Sequence, residues 1–543
     1  MDIEIRIATE SRDDEVKIKS AIAEKLDLKE SEIRQYQLLR CSLDARGLNP
    51  VYQMRFKVNE PTVEAPPISK NYKSVHNATP VIVIGAGPAG YFAALELIEL
   101  GYKPIVFERG KDARARRRDL KAIQVYGEVV PNSNYCFGEG GAGTYSDGKL
   151  YTRSHKRGSI EKTLHLLVEH GASTDILIEA HPHIGSNKLP QVVQNMRATI
   201  EFCGGEVHFE HQVTDFILSL EPFAMSYEQK NDSSSQLTAH SSKLLGVVIN
   251  NEKEFFASAV ILAVGHSARD IYALLRKRNI YTEAKPFALG VRIEHPQPLI
   301  DELQYKKKRG DYLPPASYSL VTQVETQNLA SVRETRGVFS FCMCPGGLIV
   351  PAATSPGEIV VNGMSMSRRD SPYANSGTVV AVELEDVKQF ETPDVFGTLA
   401  FQSKVERDFF NAGDGSQRAP AQRLTDFVKR KVSNDLTNTS YIPGIFSAPV
   451  HSILPSQIYK KLQQGVLNFE KLMRGYLTES AQVIGVESRT SSPVRIPRDT
   501  KTLMHTTCVG LFPSGEGAGY AGGIISAAMD GQNVAKAVAR FLN

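Results

Sequence analysis

Val81-Ile82-Val83-Ile84-Gly85-Ala86-Gly87-Pro88-Ala89-Gly90 joins an unbroken β-branched run to a glycine turn. Such a run is the pattern of a parallel strand covered on both faces. Each glycine then has a mechanical task. Gly85 permits the tight turn off the strand, Gly87 lets a pyrophosphate approach the backbone, and Gly90 lets the next helix pack close to the sheet. That helix is expected over Pro88–Leu100, ended by Gly101, with its N-terminal N–H groups and positive dipole end turned to a phosphate. A second apolar strand, Pro104-Ile105-Val106-Phe107, delivers Glu108 23 residues after Gly85. A carboxylate at this position accepts hydrogen bonds from both ribose hydroxyls and repels a 2′-phosphate. The adenosine half is therefore that of FAD or NAD rather than NADP.

The same glycine spacing recurs at Gly138–Gly143 and Gly517–Gly522, and context separates the copies. Gly138 follows the polar stretch Asn132–Cys136 and runs into a loop. The third copy sits between an apolar strand (Val509–Phe512) and a helix (Ile524–Phe541), but no second strand and acid follow it. FAD is told from NAD by the rest of the chain, because its ribityl and isoalloxazine parts reach beyond one mononucleotide-binding half. Gly515 and Glu516 bring a carboxylate to the end of a strand, where it can bond ribityl hydroxyls. Gly523 and Ile524 start a helix whose positive end suits the flavin N1/O2 edge. Ala259–Gly265 is a further buried strand that returns the chain to the nucleotide through Ala263 and Gly265.

These segments resemble the glutathione-reductase-like class of flavoproteins. More closely, Phe137–Lys149, Phe341–Gly347, Val486–Arg495 and Gly515–Gly523 are similar to a family of FAD-dependent dehydrogenases, the NAD(FAD)-utilising type, found in bacteria and plastids. The resemblance covers nearly the whole chain. It implies one bound FAD and an inserted substrate domain, and no particular substrate. It also implies that Gly141, Gly143, Ser146 and Lys149 lie beside the pyrophosphate and flavin, and that Val213 contacts adenine through its backbone. Together with Gly85, Gly87, Pro88, Ala89, Gly90, Glu108, Arg109, Ala263, Gly265, Gly515, Glu516, Gly523 and Ile524, these are the expected cofactor positions. No catalytic residue and no metal ligand is assigned.

The expected fold class is α/β: a Rossmann-like FAD-binding domain, an inserted α+β substrate domain and a small N-terminal α+β domain. With 543 residues, several domains are expected from about 150 residues per unit. Residues 1–58 read as the small unit, with a strand at Asp2–Ala8, a helix at Asp13–Leu28 and a strand at Val51–Val58. Residues 59–79, with Pro61, Pro66 and Pro67, read as a linker. The FAD-binding part then spans 80–284 and 481–543, around an insertion at 285–480. Glu206–Leu220 and Leu244–Phe256 read as strands joined by an exposed polar loop, Glu221–Lys243, with Ser233, Ser234 and Ser235 in a row.

The 63 Lys plus Arg against 60 Asp plus Glu leave a net charge of +3, too little for a nucleic-acid or anionic-membrane footprint. RNA modification is disfavoured on that ground, despite Lys306-Lys307-Lys308-Arg309. The uncharged run Asn77–Leu95 is too short and too rich in Gly and Pro for a membrane span. Cys41, Cys136, Cys203, Cys342, Cys344 and Cys508 form no CxxC pair or zinc spacing and read as free thiols of a reducing, cytoplasmic compartment.

Among the remaining residues, Arg114, Arg116, Arg117 and Arg118 read as a solvated helix face, with a phosphate neighbour as the alternative. Lys149 either lies near the flavin or forms a surface salt bridge. Cys342 and Cys344, one residue apart in a strand, share a face without easy disulfide geometry and read as structural thiols rather than a redox pair. Arg489, Arg495 and Arg498 are either an anion-binding set or a paired loop that holds the C-terminal segment. His295 and His451 are weak acid–base candidates.

The expected activity is hydride exchange between a small-molecule substrate and flavin N5, with NAD(P)H as a transient reductant if one is used. A flavin monooxygenase is the rival enzyme. A structural FAD with a protein partner recruited by residues 1–58 is the rival outside enzymes.

Overall fold

A computed structural model describes residues 1–60, 67–152, 158–219, 242–327, 333–393 and 395–543. At its centre lies a five-stranded, all-parallel sheet in the order Leu511–Pro513, Val260–Leu262, Pro80–Ile84, Lys103–Phe107, Glu206–His208. The middle strand is Pro80–Ile84, whose Val81 to Ile84 side chains are all buried, as its unbroken apolar run requires. Pro88 opens the following helix, Pro88–Leu100, and Gly101 closes it in the left-handed conformation at φ 91°. The C-terminal helix, Ile524–Leu542, packs against it, and both contribute to the same buried cluster. The chain is α/β, with a Rossmann-like nucleotide-binding core and additional domains.

The second large layer is a seven-stranded sheet in the order Val321–Gln327, Arg333–Cys344, Tyr373–Val382, Phe287–Pro296, Gln482–Glu487, Ala419–Arg423, Ile445–Ser447. Its core includes Leu289, Val291, Val380 and Ile484, with helix Ser456–Leu472 packed through Ile458, Leu462 and Val466. The division expected at residue 480 needs moving. Gln482–Glu487 pairs with both Phe287–Pro296 and Ala419–Arg423, so the larger sheet extends past it. The two chain crossings between the sheets lie side by side, as Glu283 and Ala284 pair antiparallel with Arg495 and Val494.

Two expected strands are each broken by a turn. Glu206–Leu220 divides into Glu206–His208 and Val213–Leu218, in different sheets, with Glu210 in the left-handed region between them. Leu244–Phe256 is the hairpin Ser242–Ile249/Lys253–Phe256, turning at Asn250 and Asn251, both of positive φ. The expected loop over Glu221–Lys243, with its serine run, lies outside the described residues except at its last two positions, which begin that hairpin.

The N-terminal unit is a three-stranded sheet, Asp2–Ala8, Val51–Val58, Tyr36–Asp44, carrying helix Glu15–Leu26 capped by Asp14. Tyr36–Asp44 is the strand not foreseen; it is mostly half-exposed and is interrupted by a register shift between Leu38 and Arg40, which blurs its alternation. It docks the unit on the body, where the Cys41 N–H donates to Ile178 O at 2.8 Å and the Ala180 N–H to Cys41 O at 2.9 Å. Of the expected linker, residues 61–66 lie outside the described residues, while the Ile68 and Ser69 N–H groups donate to the Glu169 carboxylate. Among the described residues no helix is long and apolar enough to cross a membrane.

Two glycines set how closely the layers approach. A Cβ on Gly90 would stand 1.9 Å from Gly85 O, and one on Gly531 would stand 2.0 Å from Ala89 O, backbone in both cases. Gly531→Ala is expected to lower stability by at least about 1–3 kcal/mol, the usual cost of overpacking. Gly310→Ala, where nothing lies within 4 Å, should move the urea midpoint little.

His295 is no acid–base group on a cavity. It is fully buried, its Nε2 lies 2.8 Å from Tyr476 O, and burial lowers its pKa to about 4. His505, held to Tyr281 O at 2.8 Å, is likewise lowered to about 4 by burial. Both folded pKa values lie below the unfolded 6.5, so the stability each contributes is present above pH 6.5 and is lost as the pH falls toward 4. Urea unfolding of wild type should lose up to about 1.4 kcal/mol per pH unit per histidine across that window, and His295→Asn or His505→Asn should flatten the slope.

Candidate active site

The two glycine turns meet on one cavity of about 410 Å³. Its wall includes Gly85, Gly87, Pro88, Ala89, Glu108, Arg109, Gly141, Gly143, Ser146, Lys149, Val213, Ala263, Gly265, Glu516, Gly523 and Ile524. Of the expected cofactor positions only Gly90 and Gly515 stand outside it. Gly90 serves the helix packing already described. The Gly515 N–H donates to Asp530 Oδ2 at 2.8 Å, which fixes the C-terminal turn.

Bare backbone faces the space where a ligand would need it. A Cβ built on Gly265, Gly522 or Gly523 would meet no heavy atom within 4 Å. Glu108 is held in place from three sides: its Oε2 accepts from the Ala86 N–H, and its Oε1 from the Gly110 and Gly138 N–H groups, each at 2.9 Å. Of roughly four acceptor sites on a carboxylate, about one is left for a ribose hydroxyl rather than the pair expected. The carboxylate also ties the first turn to the Gly138 loop, which explains why the second glycine copy reaches the cavity without a strand of its own. Two helices of 13 and 19 residues begin at this wall, with Pro88 and Ile524. Helix N-termini and open glycine backbone for phosphate, with a fixed carboxylate for ribose, fit a dinucleotide.

Beyond the glycine turns the wall turns polar, with Lys149, His266, Cys342, Asn362, Arg489 and Thr490. Lys149 lines the cavity and also stands in an ion pair. Its Nζ donates to Met343 O and lies 3.6 Å from Asp147 Oδ2, and although burial alone would lower its pKa, Cys342, Cys344 and Asp147 hold it raised. His266 was missed in the sequence, although it follows Gly265 directly. Its Nε2 lies 3.6 Å from Glu516 Oε2, its buried Nδ1 has no partner, and burial lowers its pKa against the pull of Glu516.

Arg489 separates from the other two arginines of its segment. Its Nε and one terminal nitrogen bind both Glu406 oxygens at 2.8 and 3.0 Å, while Nη1 is buried without a partner. Although burial would raise the pKa of Glu406, Arg269 and Arg489 hold it down to about 2. Arg498 pairs with Asp530 at 2.6 and 3.0 Å and lies with Arg495 over the Tyr520 ring, the paired-loop reading. In the Arg114–Arg118 cluster, Arg116 is fully buried and donates to Asn134 O and Glu139 O, while its neighbours Arg114, Arg117 and Arg118 are exposed. Arg109 pairs with Asp270 and stacks on Phe137. His451 bonds Gln422 and does not line the cavity.

The shared strand face expected for Cys342 and Cys344 is not formed. The register slips between Phe341 and Cys344, and Cys342 adopts φ +46°. This bulge sets Cys342 in the cavity wall and leaves Cys344 fully buried behind it.

Residues 286–490 match the family described as "FAD-dependent protein, C-terminal domain-like", and residues 1–59 match a domain of unknown function. A Clostridium beijerinckii protein, described as uncharacterized, is 38% identical over 560 residues, covering 99% of this chain and 98% of its own. Among solved structures, a geranylgeranyl bacteriochlorophyll reductase-like protein from Thermoplasma acidophilum is 12% identical at TM-score 0.34, over 86% of this chain and 79% of that one. The flavin-dependent brominase Bmp2 is 11% identical at TM-score 0.35, over 86% and 80%. Likenesses this loose carry no inference about chemistry.

Glu108→Ala would leave three backbone donors without their charged acceptor. At about 1.5–3 kcal/mol for a hydrogen bond to a charged group, dinucleotide affinity should fall by ten- to a hundredfold, read as the loss of bound nucleotide on gel filtration.

Proposed function

The chain belongs to the same family as the clostridial protein, one of FAD-dependent proteins, and its cofactor is FAD; on that premise we propose an oxidoreductase that exchanges a hydride between a small-molecule substrate and flavin N5. The observation that supports this reading best is the single cavity lined by Gly85 and Gly523, more than 400 positions apart in the sequence. In this reading Gly85, Gly87 and Pro88 hold the pyrophosphate, Glu108 the adenosine ribose and Val213 the adenine. Glu516 holds ribityl hydroxyls, and Gly523 and Ile524 meet the flavin edge.

FAD, when bound, supplies the hydride acceptor or donor. The chain's own residues supply the rest. Arg489, held on Glu406, brings a positive charge to the wall, which favours a substrate carboxylate or carbonyl oxygen. His266, in the same wall and with its pKa lowered by burial, is the group that takes or gives the proton accompanying the hydride. Among the described residues no second strand, glycine turn, helix and acid stand together for a resident nicotinamide, so NAD(P)H as reductant would bind transiently.

Anaerobic photoreduction of the yellow protein, followed by rapid mixing with oxygen, tests the reading. The reduced flavin should return to its oxidised spectrum without a hydroperoxide phase. A long-lived hydroperoxide, with or without added substrates, would move the assignment to a monooxygenase. Protein that stays colourless after incubation with FAD would end it.

A further inference from the structure

The Phe341–Cys344 bulge brings two sulfurs and two cations together at the cavity wall. Cys342 lines the cavity together with Lys149 and Asn362. Arg292, fully buried and paired with Glu487, donates to Cys342 O at 2.7 Å and lies 4.0 Å from Cys344 Sγ. The Lys149 ammonium is anchored on Met343 O, between the two cysteines. The Cys344 thiol donates to Cys342 O at 3.2 Å. In a regular strand, residues two apart stand about 6.6 Å apart along the chain, at the far end of the ~4.4–6.8 Å that a disulfide spans between Cα atoms. The register shift between Phe341 and Cys344 takes this stretch out of the regular strand geometry.

We propose that Cys342 and Cys344 are a reversible dithiol–disulfide couple that exchanges an electron pair with the flavin, an inference that rests on FAD occupying this cavity. In the oxidising direction the Cys342 thiolate and the Cys344 thiol form one S–S bond. The thiol proton and two electrons pass to oxidised flavin, giving the anionic reduced ring, so that charge and atoms balance. The reverse step opens the disulfide. The two thiols are unequal, as such a couple requires. The Cys344 hydrogen bond, with Lys149 and Arg292 outweighing burial, brings Cys342 down to about 5, while its bond to Cys342 and burial push Cys344 well up. The other ionisable groups facing the pair are Asp147 and Glu487. A pair of merely structural thiols needs neither a wall position nor two cations.

Anaerobic dithionite titration of the air-oxidised holoprotein reads the couple directly. Wild type should consume twice as many electrons per bound flavin as Cys342→Ser or Cys344→Ser. Equal consumption in wild type and variants overturns the proposal while leaving the flavoenzyme reading intact. A sample without flavin sinks that reading instead. Because either substitution falls in the buried bulge, wild-type protein should also be equilibrated in glutathione redox buffers, alkylated with iodoacetamide and mapped by mass spectrometry. The peptide carrying both cysteines should lose two hydrogens and resist alkylation in oxidising buffer. If both stay as alkylatable there as in reducing buffer, there is no couple.

Discussion

Backbone lying directly on backbone at three glycines is the constraint on which the rest depends. Gly90 meets Gly85 O, Gly531 meets Ala89 O, and a Cβ on Gly517 would stand 2.4 Å from Gly265 O. None of these contacts leaves room for a methyl group. Together they lock the first glycine turn, the turn after strand Val260–Leu262 and the C-terminal turn into one wall. The cavity is the volume these contacts leave over, and the two helix N-termini face it because their helices cannot stand further apart.

The insertion is bound to that wall by charge as well as by chain. Arg269, shortly after strand Val260–Leu262, donates to Glu358 and Glu406 of the larger domain, and Arg489 grips the same Glu406 from the other side. Removing one member would strand a buried charge, which costs far more than the cluster contributes to stability when intact. The network therefore fixes position: it holds Arg489 so that Nη1 is the donor left over.

What could be read from the sequence was what local chemistry decides. Val81–Gly90, Glu108 and Ile524 announce themselves because strand pattern, turn and helix start are written within a few residues. The helix starting at Pro88 lies as read, and Gln482–Glu487 does not, because membership of the larger sheet is decided by partners some 190 positions away. His266 carries no local signal beyond its place after Gly265; only the approach of Glu516 gives it an environment. The Cys342 bulge was invisible for the same reason. A single residue added to one strand is defined by its neighbour Tyr373–Val382, and period-two reasoning has no way to count it.

The paired crossings at Glu283–Ala284 and Val494–Arg495 have an architectural meaning of their own. Because the polypeptide departs and returns at adjacent points, the roughly two hundred residues between them form one excursion from the nucleotide-binding part. Seen this way, the larger sheet is a cartridge. A common base for the flavin could accept different cartridges through one narrow splice, and the chemistry of each would be set by the side chains its underside presents.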